Sequence, residues 1–172
     1  VNLTRFNLFF PEKRDFFLEG QGIFAFAGLT AAGMGNNTPV LFFSRRIGLL
    51  EEQQVPIDIG AKVNGRLGGS NFGALAVRTR AIDTLPTAST MAVVRLKQNV
   101  LRESSVGVIA TAGDPLGRSG SWLVGPDLTY QTSHFRGERN LLVGAWALAV
   151  GREDLGRGDR TAAGLRIAYP ND

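Results

Sequence analysis

Two carboxylates, Glu12 and Glu19, stand seven residues apart among phenylalanines, with Lys13, Arg14 and Asp15 between them. A carboxylate pair can act as general acid and base on a glycosidic bond. That chemistry needs a fixed separation, and an irregular segment does not define one. The same residues can instead form an ion cluster in which Glu12 and Glu19 meet Arg14, Arg45 or Arg46. Buried charges need such partners, and the cluster would hold an inward-folded segment against a wall.

His134 is the lone histidine, and no metal-ligand spacing surrounds it. The piece Gly117-Arg118-Ser119-Gly120-Ser121 lacks the Gly-x-Ser-x-Gly elbow that would make a Ser-His-Asp site credible. Gly65-Arg66-Leu67-Gly68-Gly69 opens no helix, so a phosphate loop is not expected. The chain has 0 Cys, which removes thiolate ligands, disulfides and cysteine nucleophiles. No catalytic residue, metal or cofactor is assigned, and the sequence favours a non-enzyme over an enzyme.

A second set of charges falls on the polar sides of alternating segments: Asp58, Lys62, Arg66, Arg78, Arg80, Arg95, Lys97, Asp127 and Arg166. They could line a pore and favour anions, meet sugar hydroxyls, or form the salt bridges that fill a narrow lumen. The formal charge of +4 is scattered, with no basic run beyond the Arg45-Arg46 pair. Nucleic acid is therefore not an expected partner.

Alternating strands are the elements that must position these side chains. Glycine is abundant, at 22 of 172 residues, which suits turns and crowded sheet walls rather than helices. Residues 1–38 are irregular and Phe-rich, a candidate plug or periplasmic mouth. Eight antiparallel strands are expected in 39–172, at about 40–46, 56–67, 71–80, 89–100, 104–112, 120–131, 139–150 and 160–169. In 57–67, Ile57, Ile59, Ala61, Val63 and Leu67 oppose Asp58, Lys62, Asn64 and Arg66. Trp122, Val124, Leu128 and Tyr130 oppose Gly125, Asp127, Thr129 and Gln131, and Leu165, Ile167 and Tyr169 oppose Gly164 and Arg166. Segment 139–150 is apolar on both sides, as a wall packed against a plug or a soluble core would be.

Several segments run ten to twelve residues. Soluble strands average ~5–6 residues, whereas a tilted membrane strand needs ~9–11. The expected fold is all-β: an antiparallel up-and-down meander forming part of a transmembrane β-barrel, with lipid outside, a polar lumen inside and an aromatic girdle of Trp122, Tyr130 and Tyr169. The chain starts at Val1 without an initiator Met or signal peptide and stops at the turn-like Pro170-Asn171-Asp172. It is accordingly expected to be a piece of a longer chain, with open strand edges.

The block Asn2-Leu3-Thr4-Arg5-Phe6-Asn7-Leu8-Phe9-Phe10-Pro11-Glu12-Lys13-Arg14-Asp15-Phe16-Phe17-Leu18-Glu19-Gly20 resembles a signature of the DUF5916 family of bacterial proteins. Leu41-Phe42-Phe43-Ser44-Arg45-Arg46-Ile47-Gly48, Ile59-Gly60-Ala61-Lys62-Val63-Asn64-Gly65-Arg66, Ser104-Ser105-Val106-Gly107-Val108 and Tyr169-Pro170-Asn171-Asp172 extend the likeness over nearly the whole chain. Asp15 departs from a common proline. The resemblance implies an outer-membrane barrel-like domain of a Gram-negative bacterium. It also implies a preceding domain similar to family 9 carbohydrate-binding modules, and further strands. It carries no catalytic residues. The expected partners are outer-membrane lipid and, through that preceding domain, carbohydrate. Two alternatives stay open: a soluble glycan-binding β-sandwich, and a glycoside-acting hydrolase.

Overall fold

The computed structural model describes residues 12–27, 41, 44, 47–50, 53–82 and 87–169. Among them lie a short helix α1 (Asp15–Leu18), a 3-10 turn (Gln21–Phe24), and a small hairpin of β1 (Leu49–Leu50) and β2 (Gln53–Gln54). Seven long strands follow: β3 (Ile57–Leu67), β4 (Ser70–Thr79), β5 (Thr90–Val100), β6 (Ser104–Ala112), β7 (Trp122–Phe135), β8 (Arg139–Gly151) and β9 (Thr161–Ala168). They form one antiparallel meander in sequence order, β3 to β9. β3 and β9 are its two edges, so the sheet is open.

Seven of the eight expected segments are these strands. The eighth, at 40–46, is corrected at its two described positions: Leu41 and Ser44 are not in strand. Ser44 turns instead, its carbonyl accepting the Ile47 N–H at 2.9 Å. The other positions of 40–46 lie outside the described residues, as do 1–11 and 28–38.

Strand lengths of 11, 10, 11, 9, 14, 13 and 8 residues sit mostly at or above the spanning length. The connections alternate strictly. Gly68–Gly69, Leu101–Glu103 and Arg136–Glu138 are tight turns on one rim. On the other rim the connections are longer, at 113–121, at 152–160 and between Thr79 and Thr90. The tight turns rely on left-handed backbone at Gly68 (φ 58), Leu101 (φ 55), Arg136 (φ 50) and Gly137 (φ 108). Glycine adopts it freely; the leucine and arginine do so against side-chain sterics.

Register fixes the two faces. Gly73, Arg95, Ile109 and Gly125 share one row, and Asn71, Lys97, Gly107, Asp127, Trp146 and Gly164 the next. This face is covered by residues 12–27. Phe17, Phe26, Ala27 and Ile47 bury themselves there against Leu75, Val77, Met91, Val93, Ile109 and Leu148. Full burial of each of the larger of these side chains contributes about 1.5–3 kcal/mol. The two-sided apolarity of β8 follows: Trp146 and Leu148 face this core.

The opposite face is apolar across all seven strands and bare on six of them; on β8 it carries Leu141, Val143, Ala145, Ala147 and Ala149. Ile59, Val63 and Leu67 on β3, Phe72 on β4, Val94 and Leu96 on β5, Val106 and Val108 on β6, Trp122, Val124, Leu128 and Tyr130 on β7, and Leu165 and Ile167 on β9 are all exposed. Leu67 reaches 78% and Leu165 69%. Among the described residues no second sheet covers either face, so the two-layer core of a sandwich is not seen.

Candidate functional site

The covered face is where charge, aromatic rings and the N-terminal segment converge. The segment runs along β3 and then crosses the sheet toward β8. Lys62 on β3 holds its first part. Its ammonium donates to the Phe16 carbonyl at 2.6 Å and the Glu19 carbonyl at 2.9 Å, and contacts the Glu19 carboxylate at 3.3 Å.

Glycines on the covered face make room for the crossing. A β-carbon at Gly73 would lie 2.9 Å from Ile23 Cγ2, and one at Gly144 would lie 2.8 Å from the Ala27 carbonyl oxygen. At Gly144 the near atom is backbone, so a side chain there would push the seated segment away; at Gly73 the Ile23 side chain would have to shift.

At the far end stands a buried ion pair. Arg95 on β5 and Asp127 on β7 are 1% and 7% exposed. Gly107 on the intervening β6 lets the guanidinium reach across: a β-carbon there would sit 2.8 Å from Arg95 Nη1. The fork is bidentate, with Nη1 donating to Oδ1 at 2.5 Å and Nη2 to Oδ2 at 2.8 Å. Asp127 Oδ2 also accepts the Ala27 backbone N–H at 2.8 Å. The Arg95 guanidinium lies 5.5 Å from the Phe26 ring centroid. The wall's ion pair therefore grips the segment by a backbone N–H and an aromatic face together.

A second cluster fixes the start of the segment. Arg14 is doubly joined to Glu12, with Nε to Oε1 at 2.9 Å and Nη2 to Oε2 at 2.8 Å. It also donates to the carbonyls of Ile47 and Ser44, each at 2.8 Å. Ser44 Oγ donates to Glu12 Oε2 at 2.7 Å. Burial alone would raise the Glu12 pKa. The bonds from Arg14, from Ser44 and from the backbone N–H groups of Arg14 and Lys13 outweigh it and hold the carboxyl at about 2.

The ion cluster expected from sequence is thus divided. Glu12 and Arg14 pair with each other and with residues 44 and 47, while Glu19 joins Lys62. Arg45 and Arg46 lie outside the described residues. Nothing brings Glu12 and Glu19 together as an acid–base pair, because each is engaged by a different cation on a different element.

The remaining expected charges scatter. Asp58 and Arg80 pair at the long-loop rim, 2.5 Å apart. Arg66 donates to the Gly68 carbonyl at 3.1 Å by the first tight turn. Lys97 and Arg166 occupy covered-face rows, opposite Gly107 and Gly144. Arg78 is a correction to the polar-face grouping: it shares the bare face with Ala74 and Ala76, at the strand's end, exposed. The sequence did not mark Phe26, Ala27, Ser44 or Gly107 as site residues. A glycine on the charged side of nearly every strand was the available signal.

His134 lies near the end of β7. Ser133 Oγ stands between its Nδ1, at 3.1 Å, and the Glu103 carboxylate, at 2.8 Å. A hydrolytic triad needs the imidazole between hydroxyl and acid; here the hydroxyl is in the middle. Among the described residues no group of three His, Asp or Glu side chains is placed to hold a metal ion.

Fold and site together define an open antiparallel meander with one bare apolar face and one face occupied by the chain's own N-terminal segment. Comparison with protein-family models, with curated proteins and with solved structures finds no match.

Proposed function

We propose that this chain is part of the wall of a bacterial outer-membrane β-barrel, with residues 12–27 folded against the inside of that wall as a plug. The observation that carries the reading is the opposite character of the two faces. An apolar surface that runs across seven strands and leaves side chains as exposed as Leu67 and Leu165 is not what a soluble monomer ordinarily turns to water. Hydrocarbon would cover it without cost.

Three further features agree. The strands are long enough to cross a bilayer. Short turns on one rim and long loops on the other are the arrangement of bacterial barrels. Aromatic side chains gather near the strand ends: Trp122 on the long-loop rim, and Phe135 and Tyr169 on the other, their rings 6.0 Å apart. In lipid an open edge is untenable, and bacterial single-chain barrels have an even number of strands. The seven-strand arc accordingly closes through at least one more strand.

The resemblance to the DUF5916 family, if carried over, makes this an outer-membrane domain following a carbohydrate-binding-like domain. Its role would be a plugged channel or an anchor serving carbohydrate capture. Full-length protein in membranes should then require detergent for extraction, and its gel mobility should shift on boiling. Recovery as a folded monomer in plain buffer would overturn the proposal.

A further inference from the structure

We propose that Arg136 and Arg139, with the rings of Phe135 and Tyr169, form a site for the phosphate of an anionic lipid headgroup on the tight-turn rim. The inference rests on the barrel reading above and names the lipid that this rim prefers.

Charge on the outward face is confined to its two ends. Among the strand residues that register places there, from Ile59 onward, none is Asp or Glu, and the cations are Arg78 and Arg139. Arg78 lies at the long-loop end of β4, and Arg139 is the first residue of β8, at the tight-turn end. A face of this kind leaves its cations at headgroup level when hydrocarbon covers the middle.

The tight-turn end is the more elaborate. A bulge in β7 between Thr132 and Phe135 sets Phe135 opposite Arg139. Unbroken alternation would send that ring to the covered face instead. The turn that follows carries Arg136 back over it, with the guanidinium 5.5 Å from the ring centroid. Tyr169, exposed beyond the end of β9, meets the same ring at 6.0 Å. Neither arginine has an acid partner among the described residues. Of the nearby acids, Glu103 accepts from Ser133 Oγ at 2.8 Å, and Glu138 is exposed and makes no ion pair.

Guanidinium forks match phosphate oxygens, and rings with a polar tip settle between headgroup and chain. A zwitterionic headgroup would bring its own cation against Arg136 and Arg139. An anionic one brings none, so the pair discriminates by charge.

The test uses full-length protein with Ile167→Cys, labelled with bimane, in phosphatidylcholine vesicles. Ile167 is exposed on the outward face, two residues before Tyr169. A minor share of lipid brominated in its acyl chains quenches the label on contact, so the reading is local to the site. Brominated phosphatidylglycerol should be favoured over brominated phosphatidylcholine by ~10-fold or more, because each arginine near an anionic headgroup adds several-fold. Arg136→Gln/Arg139→Gln should bring the two lipids within ~2-fold of each other. Glu138→Gln removes the one acid of the turn and should raise the preference further. Inorganic phosphate, against chloride at equal ionic strength, should leave it intact.

The site is overturned if wild type shows no preference, or if the double variant keeps it along with the boiling-dependent mobility shift. Should the double variant fail to fold, Glu138→Gln decides alone, and an unchanged preference overturns the site. Loss of the preference in Arg102→Gln, as complete as in the double variant, would mean that rim charge at large draws the lipid. Erasure by inorganic phosphate would make the ligand a free anion. Absence of quenching by either brominated lipid would overturn the barrel reading itself.

Discussion

Glu12 is buried yet ionised, because every lone pair it turns inward meets a donor. Its carboxyl titrates at about 2, against an ordinary 4.5. A lowered folded-state pKa stabilises the fold above the unfolded value, and that contribution fades as pH falls from about 4.5 toward about 2. The linked free energy is roughly 2–3 kcal/mol. Acid should therefore loosen the start of the segment before the strands respond. Pepsin cleavage between Phe16 and Phe17 in detergent-solubilised protein checks this. Cleavage of wild type should rise steeply below pH 4, while Glu12→Gln should be cut readily throughout that range. Equal resistance of the two proteins would mean that the Glu12 cluster does not secure the segment. Ser44 and Ile47, which complete the cluster, were not legible in sequence, because their contribution is made by backbone carbonyls and a hydroxyl thirty or more residues away.

At the level of the strands, alternation was a faithful guide wherever one side is apolar and the other polar. The facing sets read for 122–131 and 161–169 are those seen in β7 and β9; the set read for 57–67 holds in β3 from Ile59 onward, but a bulge between Ile57 and Ile59 sets Ile57 opposite Thr79, on the other face. What alternation could not supply is where a strand stops at a wet rim. β7 was expected to end near 131 and continues to Phe135. Thr132, Ser133 and His134 look like loop, but pairing with β8 extends them. That error hid the regular sequence of tight and long connections. The partner of Arg95 was equally illegible, because it lies two strands away, across a glycine. The bare face makes its own prediction. Val94, mid-strand on β5 between Ala74 and Ala110, should touch hydrocarbon near the bilayer centre. Val94→Arg should destabilise the protein in vesicles by about 2–4 kcal/mol, and Gln98→Arg, near the tight-turn rim on the same face, by about 0–1 kcal/mol. Urea titration in lipid measures both. In a water-exposed sheet neither arginine would cost appreciably, so two flat results would argue against lipid contact.

For the molecule as a whole, the proposed barrel carries a prediction of orientation, because its two rims differ. Bacterial barrels put short turns on the periplasmic side and long loops outside. If the proposed barrel is correct, Leu101–Glu103 and Arg136–Glu138 should face the periplasm, and 113–121 and 152–160 the cell surface. β3 starts at the long-loop rim, next to Ile47, Gly48 and Val55. Glu12 and Arg14 are bound to Ile47 and Ser44, so the cluster securing the segment's start stands toward that rim too. The segment then descends along β3 and turns across the sheet at Gly20, beside Asn64. In the proposed barrel such a segment would run from the outer side to the middle of the interior, with the Arg95–Asp127 pair at the end of its path. With 0 native Cys, single cysteines report each position cleanly. A membrane-impermeant maleimide added to intact cells should label Ser119→Cys at once. Glu138→Cys should react only after the outer membrane is permeabilised, and Leu96→Cys should react in neither case, because lipid covers it. Labelling of Glu138→Cys ahead of Ser119→Cys would invert the orientation. Ready labelling of Leu96→Cys in intact cells would place the bare face in water and remove the membrane from the account.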